Sequence, residues 1–344
     1  MRSRPTTLVL ALALIAVGTV AADDPKPAAK LKPLSAETVQ AWEKQAGAGV
    51  GWMFAHDEDG PRFLPGDTKL DDPRLQTRAL PAFYLYPDKV SALAKLPAPD
   101  EPFGLHVSLT DAQSKEVVRF PSLRAIDVAE SPLGDAGAKA LAAATKLEQL
   151  SLIHTKVTDA GLKELTPLKD LRVLALTCTA VTDAGLKHIT AFEKLEVLSL
   201  RQTGVTDAGM KELTGLNHLE WLVVSNNKVG DDGVKELAKM KSVYYLNVNN
   251  NPVTDAGVKD IAGMKQLRKL GLFNTKVTDA GVKELLALPD LEDLDLGLTA
   301  VTKACVADLA KMKNLKRLNL NLSKVSIQDE TEVRKALPNC KVSW

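Results

Sequence analysis

The sequence predicts an α/β solenoid, a horseshoe with a parallel sheet on its concave side and helices on its convex side. Three observations predict it. A 24-residue period runs without insertion over residues 123–314, an apolar pair at spacing two opens each period, and an apolar stripe at spacing three fills its second half. Consecutive turns read LEQLSLIHTKVTDAGLKELTPLKD from 147, LRVLALTCTAVTDAGLKHITAFEK from 171, LEVLSLRQTGVTDAGMKELTGLNH from 195 and LEWLVVSNNKVGDDGVKELAKMKS from 219. Others start at Leu123, Val243, Leu267 and Leu291, and a ninth strand opens at Leu315. By length alone, 344 residues suggest two domains, but the repeat overrides that prior.

Each element follows from its residues. The motif L-x-x-L-x-L places its last two apolar side chains on one face of a strand, the face turned into the solenoid. In VTDAGLKEL the period changes: Leu162, Leu165 and Leu168, like Val258, Ile261 and Met264, fit one stripe of a helix. Thr158 or Asp159 supplies the N-cap oxygen, and small Ala160 and Gly161 allow adjacent turns to approach. One turn cannot bury its own apolar edge, whereas stacked turns form a continuous core. Nine strands at about 4.8 Å give a sheet roughly 40 Å long.

The pattern LxxLxLxx(N/T)xV resembles the leucine-rich repeat, and VTDAGLKEL resembles its cysteine-containing subclass, found in many exported bacterial repeat proteins. The resemblance implies that the ninth column (Ser131, Thr155, Thr179, Thr203, Asn227, Asn251, Thr275, Thr299, Ser323) is an internal hydrogen-bond ladder at the bend. The recurring Asp159, Asp183, Asp207, Asp255 and Asp279 have the look of a Ca²⁺ array; helix capping is the expected role.

The ends need closing. Residues 326–344 are expected to form a C-terminal cap, with Ile327, Val333 and Leu337 on an amphipathic helix and Val342 and Trp344 as a last apolar contact. Residues 35–102 lack the repeat and are expected to form a small capping module on a solenoid spanning 103–325. Within it, 103–107 reads as a degenerate strand, Leu105 preceding Val128 and Phe103 preceding Ile126 by 23 residues. Ahead of the module, Arg2 and Arg4, an apolar run over 8–20 and the small residues 20–22 read as a cleaved signal peptide (1–22). A Pro/Lys/Ala-rich linker follows over 23–34. The apolar run is short for a membrane span, so no span is expected after cleavage, and the destination is the periplasm, the cell surface or the medium.

Composition and motifs narrow the function. A net charge of +1 removes the usual composition argument for nucleic acid or an acidic membrane surface. The helical column of Lys139, Lys163, Lys187, Lys211, Lys235, Lys259 and Lys283 is neutralised by neighbouring Glu164, Glu212, Glu236, Asp260 and Glu284. Cys178, Cys305 and Cys340 are too few and too scattered for a disulfide framework and read as buried apolar side chains. Gly47, Gly49 and Gly51 lack the GxGxxG spacing and mark a turn. His56, Asp57, Glu58 and Asp59 lack the ligand register of an EF-hand loop. No HExxH, GxSxG or CxxC occurs. The expectation is a non-enzymatic monomer without cofactor. Alternatives are an enzymatic or metal-binding activity in 35–102, an F-box-like ubiquitin-ligase adaptor sharing this repeat subclass, and a purely structural envelope role.

Binding is expected on the concave face, where the outward strand positions are free to vary. Trp221, Tyr245 and Phe273 fall on successive or near-successive strands and are expected to form one solvent-facing aromatic patch. Arg201, Asn247, Asn249, Asp293 and Asp295 give that surface polarity, and together these residues are the candidate site for a protein or peptide ligand.

Overall fold

The computed structural model describes residues 33–57, 60–65 and 79–344, and of residues 54–57, 60–62 and 65 the backbone alone. The predicted signal peptide, all but the last two residues of the linker, and the side chains of His56, Asp57, Glu58 and Asp59 lie outside the described residues.

Among the described residues fourteen strands form one sheet in the order β2-β1-β3-β4 through to β14. β3 (Leu80–Leu85), β4 (Phe103–Val107) and β5 (Leu123–Asp127) pair in parallel. The repeat then supplies β6 (Gln149–Ser151), β7 (Val173–Ala175), β8 (Val197–Ser199), β9 (Trp221–Val223), β10 (Tyr245–Asn247), β11 (Lys269–Gly271), β12 (Asp293–Asp295) and β13 (Arg317–Asn319). Each is in 24-residue register with the next, as Leu198 opposite Leu222 shows. Between strands the chain returns through short helices such as Asp159–Glu164 and Asp255–Ile261. The predicted α/β solenoid is the observed architecture.

Two details of register differ from expectation. Leu105 pairs with Ile126 and Phe103 with Leu123, because a bulge between Phe103 and Gly104 shifts β4 against β5. At the other end Ile327 is 64% exposed and sits in a single 3₁₀ turn instead of capping the core. The closing contacts come from Val333, Leu337 and Val342, all buried. Val342 stands opposite Leu318 in β14 (Lys341–Ser343), a tenth strand in the 24-residue register.

The sheet also runs through the boundary expected at residue 102. β3 extends the parallel ladder by one strand, Phe83 facing Leu105. Beyond it β1 (Gly49–Asp57) pairs antiparallel with β3 and with β2 (Gly60–Pro65). A helix, α1 (Ala36–Ala46), is capped by Ser35, whose Oγ accepts the Thr38 amide at 3.1 Å, and ended by Gly47 at φ 57°. It inserts Trp42 into the solenoid end, stacked on Phe83 at 4.1 Å and tilted or edge-on to Phe103 and Phe120. The indole donates to the Pro97 carbonyl at 3.0 Å, which satisfies the polar atom of a fully buried ring.

Polar columns hold successive turns together. In the ninth column Thr155, Thr179, Thr275 and Thr299 each donate to the carbonyl three residues earlier, and Asn227 and Asn251 reach carbonyls of two turns at once. The threonines before the helices are the N-caps; Thr158 Oγ1 accepts the Ala160 amide at 3.2 Å. The aspartates do different work from the expected capping. Asp159 accepts the Thr182 amide and hydroxyl of the next turn, each at 2.7 Å, and Asp231 accepts the Thr254 amide, the Thr254 hydroxyl and the Gly257 amide. Helical Gly257 follows from this, since a Cβ there would lie 2.5 Å from Asp231 Oδ1.

Immediately before the ninth column every turn has a left-handed residue, from Glu130 to Leu322. Asn226, Asn250 and Asn274 suit that conformation, whereas Leu298 (φ 51°) and Leu322 (φ 59°) do not. Leu322→Asn is therefore expected to raise stability by about 1 kcal/mol in denaturant titration; an unchanged or lower midpoint would contradict it.

Of the three cysteines Cys305 alone is fully buried. Cys178 and Cys340 are half-buried, short of the expected core role. Burial, then Asp279, pushes the Cys305 thiol up to about 12, and burial pushes Cys340 up to about 11. At pH 8 native protein should leave Cys305 unmodified by a disulfide reagent until denaturant is added; stoichiometric fast labelling would refute this.

Candidate functional site on the concave face

Two columns of side chains alternate with the core positions along the concave sheet. One runs from Ala125 and Gln149 through Trp221 and Tyr245 to Lys269, Asp293, Arg317 and Lys341. The other runs from His106, Asp127 and Ser151 to Asn247, Gly271, Asp295, Asn319 and Ser343.

The N-terminal half of this face is covered by the chain itself. β2 lies across β5, β6, β7 and β8, and Gly51 permits the turnover because a side chain there would collide with the Leu64 carbonyl and the Phe63 ring. Met53, Leu80, Ala82 and Ala125 form a second apolar cluster, with Phe63 packed on it. Gln149, Ser151, Val173 and Ala175 are consequently buried. At the edge of the cover His106 Nδ1 meets Asp127 Oδ2 at 2.7 Å, with Tyr84 stacked on the imidazole at 4.8 Å.

The C-terminal half is open. A groove of about 540 Å³ is lined by both columns from β9 to β14. Of the predicted site residues, Trp221, Tyr245, Asn247, Asn249, Asp293 and Asp295 line it. The aromatic patch is smaller and less exposed than expected. Tyr245 is only 8% exposed, because its ring packs on Trp221 at 3.8 Å and Lys269 Nζ stands 5.1 Å over the indole. Phe273 does not join them; its ring lies over Gly297, where a Cβ would come within 2.6 Å of it, and it is not part of the groove lining. Arg201, in the turn after β8, is half-buried and is not part of the groove lining.

The floor beyond the aromatic pair is a set of planar polar groups. Asn247 accepts the Asn249 amide through Oδ1 at 3.0 Å and donates to the Tyr245 hydroxyl at 3.2 Å. Asn249 Oδ1 accepts the Phe273 amide at 2.7 Å, and Asp295 Oδ1 accepts the Gly297 amide and the Asn319 side chain at 2.9 and 2.8 Å. Arg317 pairs with Asp293 Oδ2, while Asp293 Oδ1 is buried without a hydrogen-bond partner among the described residues. Gly271 lets the two asparagines close in over the strand, since a Cβ there would sit 2.7 Å from Asn249 Oδ1 and 3.0 Å from Asn247 Oδ1.

Lys269, Arg317, Asn319, Asn321 and Lys341 also line the groove and were not among the expected site residues. Their signal was present in the sequence, because Lys341 lies 24 residues after Arg317 in the column that holds Trp221. Among the described residues no three His, Cys, Asp or Glu side chains converge as metal ligands, and no helix is long and apolar enough to cross a membrane.

Stacked strands, polar bend ladders and an open concave groove define a repeat scaffold whose variable face is its sheet. A leucine-rich repeat region model matches residues 150–342 and a leucine rich repeat model matches 121–142. The chain belongs to the leucine-rich repeat family, whose fold serves generally as a protein-binding module. Among solved structures, an internalin of Listeria monocytogenes is similar at 21% identity and TM-score 0.52, over 74% of this chain and 82% of that one. An internalin C2 of the same organism gives 22% and 0.46 over 68% and 91%. A leucine-rich-repeat protein of Leptospira interrogans gives 19% and 0.42 over 70% and 76%. The first of these likenesses supports the fold. No curated protein matches the sequence.

Proposed function

We propose that this is an exported, non-enzymatic binding protein that holds a protein or peptide partner in the C-terminal half of its concave face. The observation that carries the reading is the asymmetry of that face: β2 covers the strands from β5 to β8, and the groove over β9 to β14 is left open. The open half combines what interface centres use. It has an aromatic pair and a partly buried Arg–Asp pair. Export follows the basic, apolar and small-residue order of residues 1–22, and places the partner in the periplasm, at the cell surface or in the medium.

The test is affinity capture from envelope and culture fractions with the native protein and a Trp221→Ala/Lys269→Ala/Asp295→Ala variant of unchanged circular dichroism. The native protein is expected to capture a partner that the variant binds at least about thirtyfold more weakly, the loss of roughly 2 kcal/mol or more usual for central interface residues. Equal capture by both would overturn the reading.

A further inference from the structure

The polar groups of the open groove differ in what they leave for a ligand. Five charged side chains line it, the cations Lys269, Arg317 and Lys341 and the carboxylates Asp293 and Asp295. The carboxylates are engaged within the protein. Asp293 Oδ2 is held by Arg317 and its Oδ1 is buried, out of a ligand's reach, while Asp295 Oδ1 already accepts the Gly297 amide and the Asn319 side chain. Beside them Lys316 is met by Glu292 at 3.1 Å, so that pair adds no net charge.

The donors are less engaged. Arg317 gives one nitrogen, Nη2, to Asp293, and its guanidinium has no other partner among the described residues. Lys341 stands opposite Arg317 in the ladder and is exposed, its ammonium without an ion pair or hydrogen bond among the described residues. Strands about 4.8 Å apart bring these two cations to the same part of the groove. Across it Asn249, just beyond β10, uses Oδ1 for the Phe273 amide, which leaves Nδ2 as an open donor. A ligand that satisfies these groups must bring acceptors, and a carboxylate matches the remaining edge of a guanidinium.

We propose that the partner enters the groove as an extended acidic peptide, with a Glu or Asp carboxylate seated between Arg317 and Lys341 and a backbone carbonyl on Asn249 Nδ2. The inference rests on the concave-face reading and adds the partner's chemistry to it. A nucleic-acid strand also supplies acceptors, but its phosphates recur at every step along the groove. They would meet Asp293, which the ladder places between Lys269 and Arg317.

The test is fluorescence anisotropy of the full chain at low salt with three labelled probes: an amidated peptide of alternating Glu and Ser, its Gln/Ser counterpart, and a short oligothymidylate. The Glu peptide is expected to bind about tenfold or more tightly than the Gln peptide, and salt should weaken it. Lys341→Gln and Asn249→Asp should each lower its affinity roughly fivefold or more; Asn249→Asp keeps the oxygen that accepts the Phe273 amide and removes only the open donor. Lys139→Gln, an equal loss of charge on the convex helix Asp135–Leu141, should leave binding unchanged. Equal binding of the Glu and Gln peptides, or none of either, overturns the proposal. So does a loss in Lys139→Gln as large as in Lys341→Gln, or tighter binding of the oligothymidylate. A captured partner that the Trp221→Ala/Lys269→Ala/Asp295→Ala variant loses but Lys341→Gln and Asn249→Asp both retain would overturn the acidic assignment and leave concave-face recognition standing.

Discussion

Asp231→Ala is expected to destabilise the protein by about 3 kcal/mol, from the loss of hydrogen bonds to a charged acceptor and the stranding of their donors. Three hydrogen bonds end on this carboxylate, from the Thr254 amide, the Thr254 hydroxyl and the Gly257 amide, and all cross from one turn to the next. Asp231→Asn keeps one oxygen acceptor and should cost about 1 kcal/mol. Because a solenoid is a chain of nearest-neighbour interfaces, the damage should be local. Amide exchange is expected to rise in the turns around Asp231–Leu237 and Asp255–Ile261 before it rises near Trp42. If Asp231 were only a helix cap, Asp231→Ala would cost about 1 kcal/mol and leave exchange in the following turn unchanged.

Trp42→Ala should cost about 4 kcal/mol, in the range for removing a large aromatic from a core. The ring is fully buried at the first end of the solenoid, stacked on Phe83 and surrounded by Phe103 and Phe120. Trp42→Phe retains most of the stacking and strands only the Pro97 carbonyl, so about half the loss is expected. The measurement is the denaturant midpoint followed by far-UV dichroism, with fluorescence of the remaining tryptophans as a second probe. A change within 1 kcal/mol would mean that α1 is an appendage and that the solenoid closes without it.

The solenoid was legible because each turn repeats the same burial problem. The pairs that include Leu174, Leu198 and Leu222 announce the core face of a strand, and the polar ninth column announces the bend. The aspartates were legible as a column but not in their role. A carboxylate at the first position of a helix satisfies the local rule for helix starts, and its reach into the following turn is a tertiary fact. The sequence does hold a trace of it, in the glycine two residues after each of these aspartates, which is kept small by the aspartate of the turn before.

The concave site was half legible. Column arithmetic placed Trp221, Asn249, Asp293 and Asp295 on one surface, and the same arithmetic continued past the degenerate final helix would have added Lys341. Periodicity does not say how rings share space, so it missed the burial of Tyr245 under Trp221 and the placement of Phe273 over Gly297. Nor does any local pattern show that β2 folds back over β5 to β8, because that contact joins segments about 60 to 140 residues apart. For the proposed concave-face recognition the cover matters most, since it leaves the strands from β9 to β14 as the open half of the sheet.

The most direct measurement of that claim is amide hydrogen exchange on the captured complex against the free protein. Partner binding is expected to slow exchange in the turns from Trp221–Val223 to Lys341–Ser343, while leaving Leu123–Asp127 to Val173–Ala175 as they are in the free protein. Protection confined to the strands beneath β2, or to the convex helices, would contradict an open C-terminal groove as the place of recognition.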